Sequence, residues 1–131
     1  MLTQLIYSSQ PFGFDRSMLA GILVAARRNN PRAAITGALI CRQDLYLQLL
    51  EGPEAAIDAI YAKIAVDDRH QDVTILHRAE VAERLFAQWA MLDDPARSWM
   101  WTPAEVSAGA LTDAAPEAVL AVFERLRREI G

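Results

Sequence analysis

The sequence predicts an α+β fold of the ferredoxin-like βαββαββ type, in which two helices lie on one face of a five-stranded mixed sheet. Three observations support this prediction. Apolar residues switch between a period of two and a helical period in the order strand, helix, two strands, helix, two strands. Right-handed crossovers then place both helices on the same face. A last amphipathic segment remains, and we expect its helices on the other face.

The first strand and the first helix have clear boundaries in the sequence. LTQLIYS (2–8) is apolar and rich in β-forming residues, and the following SQPFG contains the turn formers Pro and Gly. Asp15 is a suitable N-cap for a helix that runs to about Arg28, and Pro31 in NNPR disfavours its continuation. The predicted buried face of this helix follows the i, i+3, i+4, i+7 rule through Leu19, Ile22, Leu23 and Ala26.

The middle of the chain predicts a hairpin, a second helix and two further strands. AITGALIC (34–41) and LYLQLLEG (45–52) are strands separated by the tight turn RQDL. Pro53 suits the first position of the second helix, which ends near DDRH and has an apolar stripe of Ile57, Ile60, Tyr61 and Ile64. The fourth and fifth strands are DVTILHRA (72–79) and FAQWAML (86–92).

The character of the chain changes after Leu92, so we predict a core of residues 1–92 and a C-terminal linker with helices over 93–131. Thr102 and Pro103 indicate a short helix. The final helix, from about residue 116 to 130, carries one apolar side of Leu120, Phe123, Leu126 and Ile130. We expect this tail, or a second subunit, to cover the face of the third strand that presents Leu45, Leu47 and Leu49.

Composition limits the classes of function. The 131 residues are 53% hydrophobic and 23% charged with a net charge of −4, which is typical of a globular domain and argues against non-specific nucleic-acid binding. The N-terminus lacks the features of a signal peptide, and no stretch is long enough to span a membrane. The single cysteine, Cys41, fits a reducing compartment. The sequence therefore predicts a soluble cytoplasmic protein.

Metal and phosphate chemistry have little support. His70 and His77 are the two histidines, and neither belongs to a metal-binding motif. The six glycines are scattered and form no phosphate-binding loop. We therefore expect no metal site.

Gln48 is the polar residue that most needs an explanation. It interrupts LYLQLLEG, both faces of which are apolar, and a buried amide without partners costs about 1–3 kcal/mol. Tyr7 in the first strand and Asn30 at the end of the first helix have strong structural explanations when taken singly. The predicted fold, however, brings all three to one end of the space between the helices. A planar ligand with carbonyls and ring nitrogens would satisfy them.

The sequence resembles the BLUF domains, blue-light sensors that hold FAD without a covalent bond. Five blocks carry the resemblance, in order and with matching spacing, over residues 1 to about 92: LIYSSQ, NNPRAAITGALI, LYLQLLEGP, DDRHQDV and RLFAQWAM. The region from residue 93 onward is the variable output region of that family. Any single block would be a weak indication, and five in succession are specific.

The resemblance implies a flavin between the two helices, with FAD expected and FMN or riboflavin as alternatives. Asn30 would bond the polar edge of the ring, with Asn29 beside it, and Gln48 would bridge the flavin and Tyr7. Residues at matching positions would form the ring's walls and the phosphate side of the pocket: Ile22, Leu39, Tyr46 and Ile64 for the walls, and Asp67, Arg69 and His70 for the segment near the ring edge and the phosphate.

The resemblance also implies a reversible switch rather than an enzyme. Light-driven electron and proton transfer from Tyr7 would rearrange the Gln48 hydrogen bonds and shift the flavin absorption to the red. Trp89 and Met91 match two residues near the family's pocket, although both could equally be ordinary core residues. By strand alternation they would share one side of the fifth strand. The signal would pass to an unidentified partner protein, and the apolar sheet face and tail suggest a homodimer.

Two alternatives belong to other classes of function. One is a small ferredoxin-like hydrolase of the acylphosphatase type that uses Asn30 and Arg69 on a phosphate, although the chain lacks a phosphate-cradling loop. The other is a flavin-free interaction module in which Gln48 is merely structural. The colour of the purified protein distinguishes these alternatives from a flavin sensor.

Overall fold

A computed structural model of the chain describes residues 2–11, 16–42, 44–66, 70–89, 91–95 and 100–130. Within these ranges the backbone forms five strands, five α-helices and a short 3₁₀ turn at Pro31–Ala33. The elements are β1 Leu2–Pro11, α1 Arg16–Asn29, β2 Thr36–Arg42, β3 Leu45–Gly52, α2 Glu54–Ala65, β4 His70–Val81, β5 Leu92–Pro95, α3 Pro103–Ser107, α4 Ala110–Asp113 and α5 Pro116–Glu129.

The strands form one sheet in the order β4-β1-β3-β2-β5. The pairs β4·β1, β1·β3 and β3·β2 are antiparallel, whereas β5 lies parallel to β2. The central strand β3 is buried along its whole length. Its residue Gln48 pairs with Tyr7 of β1 on one side and with Leu39 of β2 on the other. The sheet therefore places Gln48 at its centre.

The two sheet faces carry separate apolar cores, as strand alternation requires. Helices α1 and α2 cover the first face, where Ile22 and Ile57 pack with Leu5, Leu39 and Leu50 from the strands. Both helices therefore lie on one face, as the sequence predicted.

The C-terminal helices cover the second face. Phe123 and Leu126 of α5 are fully buried against Leu45, Leu47 and Leu49, so the expected cover comes from the tail of the same chain. Phe123 meets Phe86 edge to face with ring centroids 6.3 Å apart. No helix in the described ranges has the length and apolar character that crossing a membrane requires.

Thr102 begins the first helix of the tail with a capping box, as its sequence indicated. Its hydroxyl accepts from the Glu105 N–H at 3.2 Å, and the Glu105 carboxylate accepts from the Thr102 N–H at 2.9 Å. The guanidinium of Arg42, at the end of β2, donates to the carbonyl oxygen of Trp101 at 2.8 Å. Trp101 is the residue before Thr102. The linker is thus tied to the end of β2 before α3 begins.

The prediction of a strand at 86–92 was wrong. Residues 85–88 form a bend and a turn, in which the Trp89 N–H donates to the Phe86 carbonyl at 3.2 Å, and β5 begins only at Leu92. The buried carboxylate of Glu51 accepts from the backbone N–H groups of Leu85 and Phe86, so these groups are not available to a strand partner. A tertiary contact overrides the local strand propensity here.

Other boundaries also differ from the prediction, and β4 extends over His70–Val81 rather than 72–79. β1 continues through Pro11 because Gln10 and Pro11 still pair with β4 after a register shift. β2 starts at Thr36 rather than at residue 34, because Ala34 takes a left-handed conformation with φ of 58° after the 3₁₀ turn. Asp15, the expected N-cap of α1, lies outside the described residues.

Candidate functional site

A cavity of about 140 Å³ opens between α1 and α2 above the centre of the sheet. Its polar groups are the Tyr7 phenol, the amides of Asn29, Asn30 and Gln48, and the Lys63 ammonium. The remaining lining is apolar and comes from the two helices: Ile22, Ala25, Ala26, Ile60 and Ile64. A pocket with apolar walls and a few convergent polar groups is typical of a small-molecule site.

Tyr7 and Gln48 form a hydrogen-bonded pair at the floor of this cavity. The Tyr7 hydroxyl donates to Gln48 Oε1 across the β1–β3 pairing. The exposed fraction is 0% for Tyr7 and 4% for Gln48, so little water competes for the bond. Tyr7 also contacts Tyr61 of α2 edge to face at 6.0 Å between ring centroids, which holds the phenol ring against the helix.

Met91 occupies the other side of the Gln48 amide. Gln48 Nε2 donates to the Met91 sulfur at 3.2 Å, and Met91 is 3% exposed. A thioether is a weak acceptor, so this is the weaker of the two bonds that the amide makes. The Met91 carbonyl accepts from Arg27 Nε of α1 at 3.3 Å, which links the segment to the helix that lines the cavity.

The end of α1 fixes Asn30 in the cavity wall. The Asn30 N–H donates to the Ala26 carbonyl at 2.8 Å, and the Asn30 carbonyl accepts from the N–H groups of Ala33 and Ile35 at 3.1 and 2.9 Å. Asn30 is 0% exposed, whereas its neighbour Asn29 is exposed at the cavity rim. The 3₁₀ turn that Pro31 begins thus positions one buried and one exposed amide side by side.

The structure brings most of the predicted site residues together. Six of them line the cavity: Tyr7, Ile22, Asn29, Asn30, Gln48 and Ile64. Leu39 and Tyr46 are buried in the apolar core directly around it, behind the lining residues. Asp67 and Arg69 lie outside the described residues, and for His70 only the backbone, at the start of β4, is described.

The prediction that Trp89 and Met91 share one side was wrong. Met91 belongs to the core under α1 and α2, whereas Trp89 packs in the core under α5. The Trp89 ring stacks beneath the Arg127 guanidinium of α5 at 5.2 Å and meets Phe86 at 6.1 Å. Strand alternation does not apply because residues 85–88 form a bend and a turn.

Sequence reasoning missed Lys63 and Glu51. Lys63 lies just before Ile64 on α2 and is exposed, yet it lines the cavity. Glu51 is 0% exposed and shares a strand face with Leu45, Leu47 and Leu49. The alternation of LYLQLLEG already put this carboxylate on an apolar face, which was the signal that could have identified it.

A short chain of polar groups extends from Glu51 to the edge of the sheet. Gln4 Nε2 donates to Glu51 Oε2 at 3.3 Å, and Gln4 Oε1 lies 3.0 Å from His77 Nε2. With the amide oriented in this way, His77 is the donor in the second bond. Burial lowers the pKa of His77 below its ordinary value of 6.5, and the nearby Glu117 carboxylate opposes this shift.

We expect the protein to lose stability as the pH falls below about 6.5, in part through His77. The pKa of His77 is lower in the folded chain, so the unfolded chain binds more protons in this range. The free energy of unfolding therefore decreases as the pH decreases. The stabilising contribution of His77 is fully present at pH values above its pKa in the unfolded chain. His77→Gln keeps a donor for Gln4 and removes the titration. Urea unfolding between pH 5 and 8 should show a shallower decline for the variant; equal slopes would contradict this role.

The geometry suits a flat aromatic ligand with polar edges. The cavity supplies apolar side chains for the faces of a ring and both donors and acceptors for its edge, and Lys63 offers a cation for an anionic group. These features define a domain that binds a small aromatic molecule next to a buried tyrosine–glutamine pair. Residues 2–92 match the family described as BLUF, sensors of blue light using FAD. The chain belongs to the BLUF family, whose cofactor is FAD.

Curated relatives carry the same kind of domain within longer proteins. The beta subunit of the photoactivated adenylate cyclase of Euglena gracilis is 39% identical over 92 residues, which are 69% of this chain and 11% of that protein. The blue light- and temperature-regulated antirepressor BluF of Escherichia coli K12 is 36% identical over 81 residues, 58% of this chain and 19% of that protein. The chain thus spans about a tenth of the cyclase subunit that it matches.

Solved structures share the fold over nearly the whole chain. The dark-state structure of the BLUF protein BlrB has a TM-score of 0.81 and 26% identity, with coverage of 98% of this chain and 96% of that one. BlrP1 of Klebsiella pneumoniae, in a complex with manganese and cyclic diGMP at pH 6, has a TM-score of 0.69 and 31% identity. The match covers 99% of this chain and 32% of BlrP1. The chain thus shares its fold with BLUF proteins beyond residues 2–92, which match the family.

Proposed function

We propose that Tyr7 and Gln48 are the light-responsive pair of this photoreceptor. The observation that carries the proposal is the buried bond from the Tyr7 hydroxyl to Gln48 Oε1 at the floor of the cavity. Tyrosine is an oxidisable phenol and a proton donor, and glutamine offers a donor and an acceptor on one planar group. Among side chains that do not titrate, only glutamine and asparagine provide the second property.

The proposed cofactor site uses the groups that line the cavity. Asn30 would bond the polar edge of the flavin ring, with Asn29 at the rim, while Ile22 and Ile64 would pack on its faces. Lys63 also lines the cavity and would offer a cation to the anionic phosphates. Three further residues belong to this proposal through the family resemblance: Asp67, Arg69 and His70.

FAD held in the cavity would supply a ring that blue light can excite and that can take up and return one electron and one proton. Tyr7 would provide the electron and its phenolic proton and would recover both, so no bond would be made or broken overall. The lit state would differ from the dark state in what the Gln48 amide offers its neighbours. Rotation would turn its oxygen toward Met91, whereas tautomerisation would leave the nitrogen there and make the oxygen a donor.

Rotation of the Gln48 amide would reach Met91 first. In the structure Gln48 presents an N–H to the Met91 sulfur. If the amide presents an oxygen there instead, the bond is lost, because a thioether has no proton to donate. The segment that carries Met91 also carries Trp89, which contacts Arg127 of α5. We infer that residues 1–92 form the sensor and residues 93–131 pass the signal on to a partner protein.

The proposed partner is inferred from the kinds of protein in which similar domains occur. Relatives are named as photoactivated adenylate cyclase subunits, and a similar solved structure is a bacterial light-regulated adenylyl cyclase. A signalling protein in the cytoplasm is therefore the proposed recipient. A homodimer also belongs to the proposal, although α5 of the same chain already covers the apolar face that first suggested it. Light scattering decides the oligomeric state.

Flavin release tests the proposed cofactor site. We expect the purified protein to be yellow and to release FAD, FMN or riboflavin on denaturation. Asn30→Ala should weaken flavin binding by about 10- to 100-fold, since it removes a buried hydrogen-bonding group at the ring edge. Asn29→Ala is the matched control and should have the smaller effect, because Asn29 is exposed at the rim. A colourless protein that takes up no added flavin would rule out the proposal.

A further inference from the structure

Glu51 is a buried carboxylate on the face of the sheet opposite the cavity. It is 0% exposed and accepts from the N–H groups of Leu85 at 2.7 Å and Phe86 at 2.9 Å, and from Gln4 Nε2 at 3.3 Å. Three N–H donors compensate for the burial of one carboxylate, and bonds of this kind are stronger than neutral ones. The proposed photochemistry assigns no part to Glu51.

The backbone that Glu51 holds leads directly to the cavity. We name residues 82–89 and Met91 the β4–β5 connection. Glu51 holds the middle of this connection at Leu85 and Phe86, and Gln48 bonds its end at Met91. Gln48 and Glu51 are three residues apart on β3 and point to opposite faces of the sheet. One buried strand therefore holds the connection at two separate points.

Arg84 is a second anchor of the connection. It donates to three oxygens at the ends of β2 and β3: Thr36 Oγ1 at 2.8 Å, the Glu51 carbonyl at 3.0 Å and the Ala34 carbonyl at 2.6 Å. Ala34 has a left-handed backbone conformation, which is unfavourable for a residue with a Cβ. The Arg84 bond to its carbonyl helps to hold this conformation and ties the connection to the turn after Asn30.

Between the anchors, side chains of the connection pack into the core under the tail. Phe86 is 0% exposed and contacts Phe123, and Trp89 contacts Arg127. The Trp89 carbonyl also accepts from the Gly37 N–H at 3.1 Å. A shift of the connection therefore changes contacts to α5, whereas a shift of Met91 changes contacts to Gln48.

We propose that Glu51 is a positioning residue of the photoreceptor, whose carboxylate fixes the β4–β5 connection and so sets how easily Met91 follows a change at Gln48. The inference rests on the proposed role of Gln48. When the Gln48 amide rotates, its oxygen faces the Met91 sulfur, so the bond is lost and the connection must adjust. The hydrogen bonds from the Leu85 and Phe86 N–H groups to the Glu51 carboxylate oppose this adjustment. They do so both when the lit state forms and when it returns to the dark state. Glu51 thereby raises the barrier to the return from the lit state.

Glu51→Gln tests the role with little change in shape. The amide keeps one acceptor but turns an NH₂ group toward a backbone N–H, so one of the two bonds to the connection is lost. We expect flavin binding and the red shift to remain, and the dark recovery to become faster by about tenfold. Glu80→Gln is the matched control, because Glu80 is exposed on β4 and its substitution leaves the connection unchanged.

Amide hydrogen exchange gives a readout that needs neither flavin nor light. The N–H groups of Leu85 and Phe86 should exchange faster in Glu51→Gln than in the parent protein and the Glu80→Gln control. If Glu51→Gln fails to fold, Arg84→Gln loosens the same connection from its other anchor and should also speed recovery. Unchanged recovery in the folded variants, at a temperature well below their melting, would overturn the role of Glu51. A parent protein without any red shift would instead overturn the proposed function.

Discussion

Gln48→Leu is expected to bind flavin and to form no normal red-shifted state under blue light. Leucine keeps roughly the volume of the side chain and removes both the acceptor for Tyr7 and the donor to Met91. Flavin should still bind, because Asn30 and the apolar walls of the cavity remain. Absorption spectra before and after illumination measure the result. A normal red shift in this variant would remove Gln48 from the mechanism.

The chain offers a matched control for this substitution. Gln4 lies on the neighbouring strand, is also 4% exposed and points to the opposite face of the sheet, where it bonds Glu51. Gln4→Leu therefore makes the same chemical change at the same degree of burial, away from the cavity. It should lower stability by about 1–3 kcal/mol, since it leaves buried partners unsatisfied, and the red-shifted state should still form.

Tyr7→Phe should abolish the same response by a different route. It removes the phenolic proton and the preferred electron donor, and it leaves Gln48 Oε1 without the Tyr7 bond. Because Tyr7 and Gln48 act as one hydrogen-bonded unit, the double variant should lose no more of the response than either single variant. Additive losses would show that the two residues act separately.

The proximity of Tyr7 and Gln48 follows from strand pairing, whereas the hydrogen bond between them was expected from the family resemblance. β1 and β3 are apolar and of similar length, so burial fixes their register, and a slip by one residue would turn Tyr7 and Gln48 to opposite faces. The two helices follow from their periodicity for the same reason. The placement of Asn30 follows from Pro31, which ends α1 and starts the 3₁₀ turn.

The region around residue 86 could not be predicted because its structure depends on a distant side chain. FAQWAML has the composition of a strand, and the sequence gives no local sign of a bend or turn. The turn forms because Glu51, 34 and 35 residues away in sequence, accepts from Leu85 and Phe86. The same contact sends Trp89 and Met91 to opposite faces, which local alternation could not indicate. Lys63 is exposed on α2, and a charged residue beside an apolar stripe gives no local sign that it lines a cavity.

Removal of residues 103–131 is expected to make the protein aggregate. The tail covers a continuous apolar face of the sheet, which includes Ile6, Ile40, Leu45, Leu47 and Leu49. Soluble monomers rarely leave apolar patches of this size exposed. Size-exclusion chromatography of the truncated and full-length chains measures the effect. A truncated protein that stayed monomeric with an unchanged light response would show that the tail is neither a cover nor an output element.

A single substitution in the tail tests the packing of α5 on the sheet without removing the whole segment. Phe123 is 0% exposed and contacts Phe86 at 6.3 Å, so Phe123→Ala should lower the free energy of unfolding by about 3–5 kcal/mol. Glu124→Ala is the control at the next position of α5, where the side chain is exposed, and should change stability by less than about 0.5 kcal/mol. Urea unfolding compares the two variants. Because Phe86 lies on the backbone that Glu51 anchors, Phe123→Ala should also alter dark recovery, whereas Glu124→Ala should not. Equal stability of the two variants would place α5 away from the sheet in solution and would contradict its role as both cover and output helix.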